Sequence, residues 1–249
     1  MIFPKIIGHR GAPHIAPENT MAAFQAAIEL GVDGIETDVQ LTNDGCLIIC
    51  HDETLDRTTN GKGFLKDFNL KEIKNLSAGE WFSPDYKDEK IPTLKDFFDL
   101  VHNKNLLINI EIKSGIVFYP GIEQKVIQMI YQYNIKDRVI LSSFNHYSLL
   151  ECKKIDSSIK TGALYMEGLV NPWEYAAKIG ADALHPLFYN IRPEIMKGIK
   201  ENKIMVNTFT VNHEEQMKYI IGLEVDGIIT DYPDKLLRIK KEMKDNNEA

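Results

Sequence analysis

This chain has few cysteines, few tryptophans and no surplus of positive charge, and each shortage excludes something. Its three cysteines, Cys46, Cys50 and Cys152, are odd in number and form no CxxC pair, which argues against a disulfide framework and a zinc site. They are expected as buried free thiols. The 29 Lys and Arg are outnumbered by 36 Asp and Glu, for a formal charge of -7 and a pI near 5.5. That balance excludes nucleic acid and acidic membranes as partners, because binding a phosphate backbone draws on clustered cations. Any phosphate recognised here must be met locally. No window reaches the roughly eighteen apolar residues of a membrane span. The start, MIFPKIIGHRG, lacks a basic leader and an apolar stretch of signal length, so a cytoplasmic protein without stable membrane insertion is expected. The charged end KKEMKDNNEA is expected to fray.

What is present is a core and a rhythm. Hydrophobic residues make up 44% of the 249 positions, enough for one large domain spanning residues 1–249. FPKIIG, GIETDVQ, LLINIEIK, RVILSS, TGALYM, ADALHP, IMVNTFTV and DGIIT read as strands separated by amphipathic helical stretches. Alternating strands and helices predict a parallel sheet, and eight units in this length match a closed (β/α)8 barrel. A weak repeat agrees: GVDGIETD (31–38), GADALHPL (180–187) and EVDGIITD (224–231) share a turn residue, an Asp and a strand entry. In it Asp231 falls where Asp38 does, and His185 falls where Glu36 does.

One stretch breaks the rhythm. TNDG (42–45) signals a hairpin, and the next long helix begins only at TLKDFFDLVHNK (93–104). Residues 52–92 are therefore expected to form a small inserted subdomain after strand two, over the active end of the barrel. Trp81, Phe82 and Tyr86 in it are expected to pack within the insert rather than line a substrate mouth.

Side-chain alternation places Glu36, Asp38 and Gln40 on one face of GIETDVQL, and Asn109, Glu111 and Lys113 on one face of LLINIEIK. The branched residues between them suit the helix-facing side, which leaves Glu36, Asp38 and Glu111 inside the barrel. Two readings follow: a site for one hard divalent cation, Mg²⁺ or Ca²⁺, or a salt-bridge network with Arg10 and Lys113. His9 closes IIGHRG and His51 closes CLIICHD, at strand ends where this fold class concentrates catalytic groups. Beside a cation they form a candidate general acid and base. Arg10 and Lys113 are candidate phosphate contacts. Gly8 and Gly11 permit a tight turn or close approach to a ligand. Asn19 or Thr20 is expected to start the helix MAAFQAAIEL, and Gly31 to end it. His185, at the end of ADALHP, is a candidate pocket residue, while His14, His102, His146 and His213 are expected at the surface or at helix ends. Asp231 is expected to cap the helix after Pro233.

HRGAPHIAPENT, ETDVQLTNDG, ICHDETLDRTTNGKG, EIK, VNTFTVN and GIITDYP resemble, in order and spacing, the signatures of the glycerophosphodiester phosphodiesterases. That resemblance implies a TIM barrel with an insert after strand two. It implies hydrolysis of deacylated phospholipids to sn-glycerol 3-phosphate and an alcohol with a divalent cation. His9 and His51 would be the acid–base pair, Glu36, Asp38 and Glu111 the metal ligands, and Arg10 and Lys113 the phosphate contacts. Phe209 stands where the family commonly has Trp, keeping an aromatic wall but losing an indole donor, for which Asn207 is a candidate substitute. The partner implied is a small-molecule glycerophosphodiester. Two rival readings are a lysophospholipase D or phospholipase C-like enzyme acting on a lipid diester, and a non-catalytic phosphodiester-binding module.

Overall fold

A computed structural model describes residues 3–248, with side chains described as far as residue 245. The strands are β1 (Lys5–His9), β2 (Gly34–Leu41), β3 (Leu47–Ile49), β4 (Leu107–Ile112), β5 (Val139–Ser143), β6 (Lys160–Tyr165), β7 (Ala183–Pro186), β8 (Met205–Thr208) and β9 (Gly227–Thr230). All but β3 pair in parallel, in the order β1-β9-β8-β7-β6-β5-β4-β2, and β2 returns to β1 to close an eight-stranded barrel. The short β3 lies antiparallel on the end of β2, with Val39 opposite Ile49.

Between them run α1 (Met21–Leu30), α2 (Leu70–Ile73), α3 (Leu94–Val101), α4 (Ile122–Gln132), α5 (His146–Ile155), α6 (Pro172–Ile179), α7 (Pro193–Glu201), α8 (Glu214–Gly222) and α9 (Pro233–Glu248). Thr20 caps α1 by accepting from the Ala23 N–H, and Gly31 ends it at φ 82°. In α3, Thr93 and Asp96 form a reciprocal capping box.

The main core lies between barrel and helices, where Ile35, Val39, Ile108, Ile110 and Ile112 meet Phe24, Phe97 and Phe98. Phe24→Ala there would cost about 3–5 kcal/mol, transfer and cavity together. The repeat has a structural cause. The Asp33, Asp182 and Asp226 carboxylates accept the backbone N–H of Ile6, Thr161 and Val206 respectively. Each thus pins the strand that flanks the one it precedes.

Residues 50–93 carry α2 and two 3-10 turns, Leu65–Asp67 and Pro84–Tyr86. A second apolar cluster of Ile48, Cys50, Leu55, Leu65, Ile73, Ala78 and Ile91 fills this segment. Phe82 packs edge to face against both Trp81 and Tyr86. At the other end α9 runs through the charged stretch to Glu248, the last residue described, and Leu236 and Ile239 earlier in the helix are buried. Cys50 and Cys152 are buried free thiols, and Cys46 is half-buried. Among the described residues no helix is long and apolar enough to cross a membrane.

Candidate active site

The pairing of β2 with β4 sets Asp38 opposite Glu111 and Glu36 opposite Asn109. Alternation then turns the three carboxyls into the barrel mouth, where one oxygen from each lies within 4.8 Å of the others. Two cations reach the cluster: Lys113 Nζ lies 2.9 Å from Glu111 and 3.9 Å from Asp38, and Arg10 Nε lies 3.4 Å from Asp38. The salt-bridge reading is therefore partly realised, but it does not balance the site.

Burial and the neighbouring Asp38 push Glu36 well above its ordinary range and Glu111 up to about 7. Burial would raise Asp38 too, but Arg10 and Lys113 outweigh it and hold that carboxyl at about 2. With all three acids ionised the two cations would leave one negative charge over, which is why Glu36 and Glu111 hold protons more readily than free carboxyls, and Asp38 Oδ1 is buried without a hydrogen-bond partner. An all-oxygen cluster with an orphaned, ionised oxygen fits a hard divalent cation.

Both predicted histidines stand beside this cluster. His9 ends β1, its Nε2 4.0 Å from Glu36 and its Nδ1 2.6 Å from Asp231 Oδ1. His51 follows β3 rather than a barrel strand, and Gln40 holds it in place. The Gln40 amide donates to the Cys50 and Asp52 carbonyls at 2.8 and 2.7 Å. His51 Nδ1 lies 2.6 Å from Asp52 Oδ1. Burial outweighs the nearby Asp38 and lowers its pKa. In each pair the carboxylate engages Nδ1 and leaves Nε2 for the mouth. An open recess of about 220 Å³ beside them is lined by His9, Arg10, His14, Glu18, Asp231 and Tyr232.

The turn after β1 is built for its own chain. A Cβ on Gly8 would stand 2.3 Å from the Gly11 carbonyl oxygen, and one on Gly11, at φ +95°, would strike the backbone of Ala23. Gly8 makes room for the turn's own carbonyl and Gly11 for helix α1. Arg10 sits in the left-handed region at φ 53° and donates its N–H to Glu36. Asn19, also left-handed, does not cap α1; it donates to Asp38 and accepts from Thr37.

Three expectations need correction. His185 does not line a pocket: it is fully buried inside the barrel, its ring over Gly162 and its Nε2 bonded to Asn207, and burial lowers its pKa to about 3. Asn207 is thereby engaged below the mouth and cannot replace an indole donor there. Asp231 directs its carboxylate to His9 and Asn212 rather than to a helix terminus. Phe209, by contrast, lies just beyond β8 and packs edge to face on Phe144.

His14 is less peripheral than expected, bridging the Asp231 carbonyl and the Asp234 carboxylate. His146 stands at the start of α5, as expected, and bridges Tyr175 and the Leu164 carbonyl. The residues not anticipated at all are Asp52, Glu18, Arg57 and, in its actual role, Asp231. For Asp231 the repeat carried a signal, since it matches Asp38.

A closed barrel with buried acids and histidines gathered at the carboxyl ends of its strands places the protein in the (β/α)8 class. A sequence profile for the Glycerophosphoryl diester phosphodiesterase family matches residues 9–235, so the chain belongs to that family and is a glycerophosphodiester phosphodiesterase. It is 54% identical to the glycerophosphodiester phosphodiesterase of Caldanaerobacter subterraneus subsp. tengcongensis, over 94% of this chain and 96% of the relative. Identity to the Bacillus subtilis glycerophosphodiester phosphodiesterase is 33%, over 94% and 86% of the two chains. Among solved structures, an Oleispira antarctica phosphodiesterase in complex with the product sn-glycerol-3-phosphate aligns with TM-score 0.87. It is 29% identical, over 95% of this chain and 96% of that one.

Proposed function

We propose that the chain hydrolyses glycerophosphodiesters to sn-glycerol 3-phosphate and an alcohol, with one divalent cation, Mg²⁺ or Ca²⁺, held by Glu36, Asp38 and Glu111. The observation that carries this reading is the gathering of those three buried acids beside two imidazoles, each backed by a carboxylate. The product complex of the Oleispira relative supports the choice of product. When bound, the cation neutralises phosphate charge and acidifies the attacking oxygen.

The chain's own groups do the rest. Arg10 and Lys113 contact the phosphate, the first as a planar fork and the second as a point charge. His9 Nε2 takes the proton of the attacking water or glycerol 2-hydroxyl as its oxygen bonds to phosphorus. His51 Nε2 supplies a proton to the departing alkoxide as the other P–O bond breaks; where the 2-hydroxyl attacks, a water then opens the cyclic phosphate to sn-glycerol 3-phosphate, with the two imidazoles in exchanged roles. Segment 52–92 caps the site from the side of His51.

A coupled assay for sn-glycerol 3-phosphate, run on glycerophosphocholine and glycerophosphoethanolamine with and without chelator, tests the reading. Turnover that chelator abolishes and added Mg²⁺ or Ca²⁺ restores is expected; turnover indifferent to chelator removes the metal. A ³¹P spectrum of the reaction distinguishes the two attackers, since only the 2-hydroxyl gives a cyclic phosphate.

One observation favours a second reading. Ile116, Phe118, Phe144, Met166 and Val170 are exposed on the loops after β4, β5 and β6, at the same end of the barrel as the acids. An apolar rim suits a diester that keeps one acyl chain. Faster turnover of lysophosphatidylcholine than of glycerophosphocholine would establish it.

A further inference from the structure

Arg57 belongs to the inserted segment and has no part in the reaction as written, yet it is the joint of the charge network around it. Its Nη1 and Nη2 donate to the two oxygens of Glu18 at 2.7 and 2.8 Å. Its Nε and Nη2 donate to the two oxygens of Asp52 at 2.7 and 2.9 Å. Each of those carboxylates has a second obligation. Glu18 Oε1 accepts from Arg10 Nη1 at 2.7 Å, and Asp52 Oδ1 faces His51 Nδ1 at 2.6 Å.

Ordinary surface ion pairs contribute little, because two long side chains must be immobilised for a screened attraction. Arg57 differs from that case. Its side chain is 44% exposed, yet four of its donors are committed in two forked pairs, and the Glu18 side chain is only 12% exposed. A rigid planar fork can hold two carboxylates at a defined angle, which an ammonium cannot do.

We propose that Arg57 is a positioning residue: by clamping Glu18 and Asp52 it presents Arg10 and His51 together to one phosphodiester. The inserted segment thereby acts on the barrel's chemistry through a single guanidinium. This rests on the roles given above to Arg10 and His51.

The two arms predict separable kinetic signatures. Asp52→Asn releases His51 and lowers kcat about tenfold or more, with KM little changed. Glu18→Gln releases Arg10 and raises KM. Arg57→Met shows both effects. In the double variant Arg57→Met with Asp52→Asn, kcat falls no further than about twofold below the worse single variant, because both substitutions remove one unit. Arg57→Lys keeps the charge but loses the fork, so it resembles Arg57→Met rather than the wild type.

Near-UV circular dichroism and thermal midpoints identify variants that fold, and Arg57→Gln is a further choice if Met does not. Wild-type kinetics in a folded Arg57 variant, or full additivity with both Asp52→Asn and Glu18→Gln, would overturn the inference. Rescue by Lys would also overturn it, since charge alone would then suffice. If the wild-type chain turned over no glycerophosphodiester, the reading of the site would fail separately. The clamp would then be judged from ¹⁵N spectra of the His51 imidazole, which shift in Arg57→Met if it exists and stay unchanged if it does not.

Discussion

His9 Nδ1 and Asp231 Oδ1 lie 2.6 Å apart, joining the end of the first strand to the residue just past the last. The two are 222 positions apart in the chain and adjacent in the barrel. Asp231 is held in turn by the Asn212 amide at 2.6 Å, so the imidazole is oriented by a carboxylate that is itself oriented.

Replacing Asp231 by Asn keeps the shape but loses the carboxylate that engages His9 Nδ1. The expected result is a fall in kcat of about 10- to 100-fold, with much less effect on KM. Steady-state kinetics on glycerophosphocholine check it. An unchanged kcat would mean that Asp231 does not support His9 in turnover.

Metal binding should compete with protons at Glu111. A carboxyl raised to about 7 by burial and Asp38 favours the folded state while it is protonated. The metal-free chain therefore loses stability as pH climbs from the unfolded value of about 4.3 through 7. A cation takes the proton's place. The thermal shift produced by Mg²⁺ or Ca²⁺ is expected to be small near about pH 5, to grow towards about pH 8, and to vanish with chelator. Differential scanning fluorimetry at several pH values measures it, and a shift that shrinks with rising pH would contradict the assignment of Glu111.

Asp52 and Asp231 have the opposite sign. Arg57 and His51 hold Asp52 below the carboxylate range, and for Asp231 the contacts to His9 and Asn212 outweigh burial. Depressed carboxyls contribute stability above their unfolded pKa of about 3.9, and lose it as pH falls through the lower folded values. Asp52→Asn and Asp231→Asn should be less stable than the wild type near neutrality and should converge with it on acidification. Thermal midpoints followed downward from about pH 5 show whether they do.

The strand-pinning aspartates give a test remote from the chemistry. Asp226→Ala leaves the buried Val206 N–H without the carboxylate that accepts it at 2.8 Å. A destabilisation of about 1–3 kcal/mol is expected in urea melts, with kcat retained in the folded fraction. A neutral outcome would show that the repeated Asp is not structural.

Much of this was legible because a buried strand constrains its own sequence. Alternation in GIETDVQL and LLINIEIK told which side chains shared a face, and the spacing of eight such runs told that they closed into a barrel. Glu36, Asp38, Glu111, His9 and His51 could therefore be singled out before any contact was known. His185 misled for the same reason: period two says that a residue points inward, but not how deep it lies. Depth depends on register with neighbouring strands, and Gly162 leaves room for the imidazole well below the mouth.

The sequence by itself determined the barrel, the inward acids and the histidine at the end of β1, since periodicity and strand boundaries are local properties of the chain. Only the tertiary structure decided which carboxylate stands behind which histidine, and that Arg57 of the insert ties Glu18 to Asp52. Those pairings join residues with no common periodicity, brought within hydrogen-bond reach by barrel closure and by the return of β3 along β2.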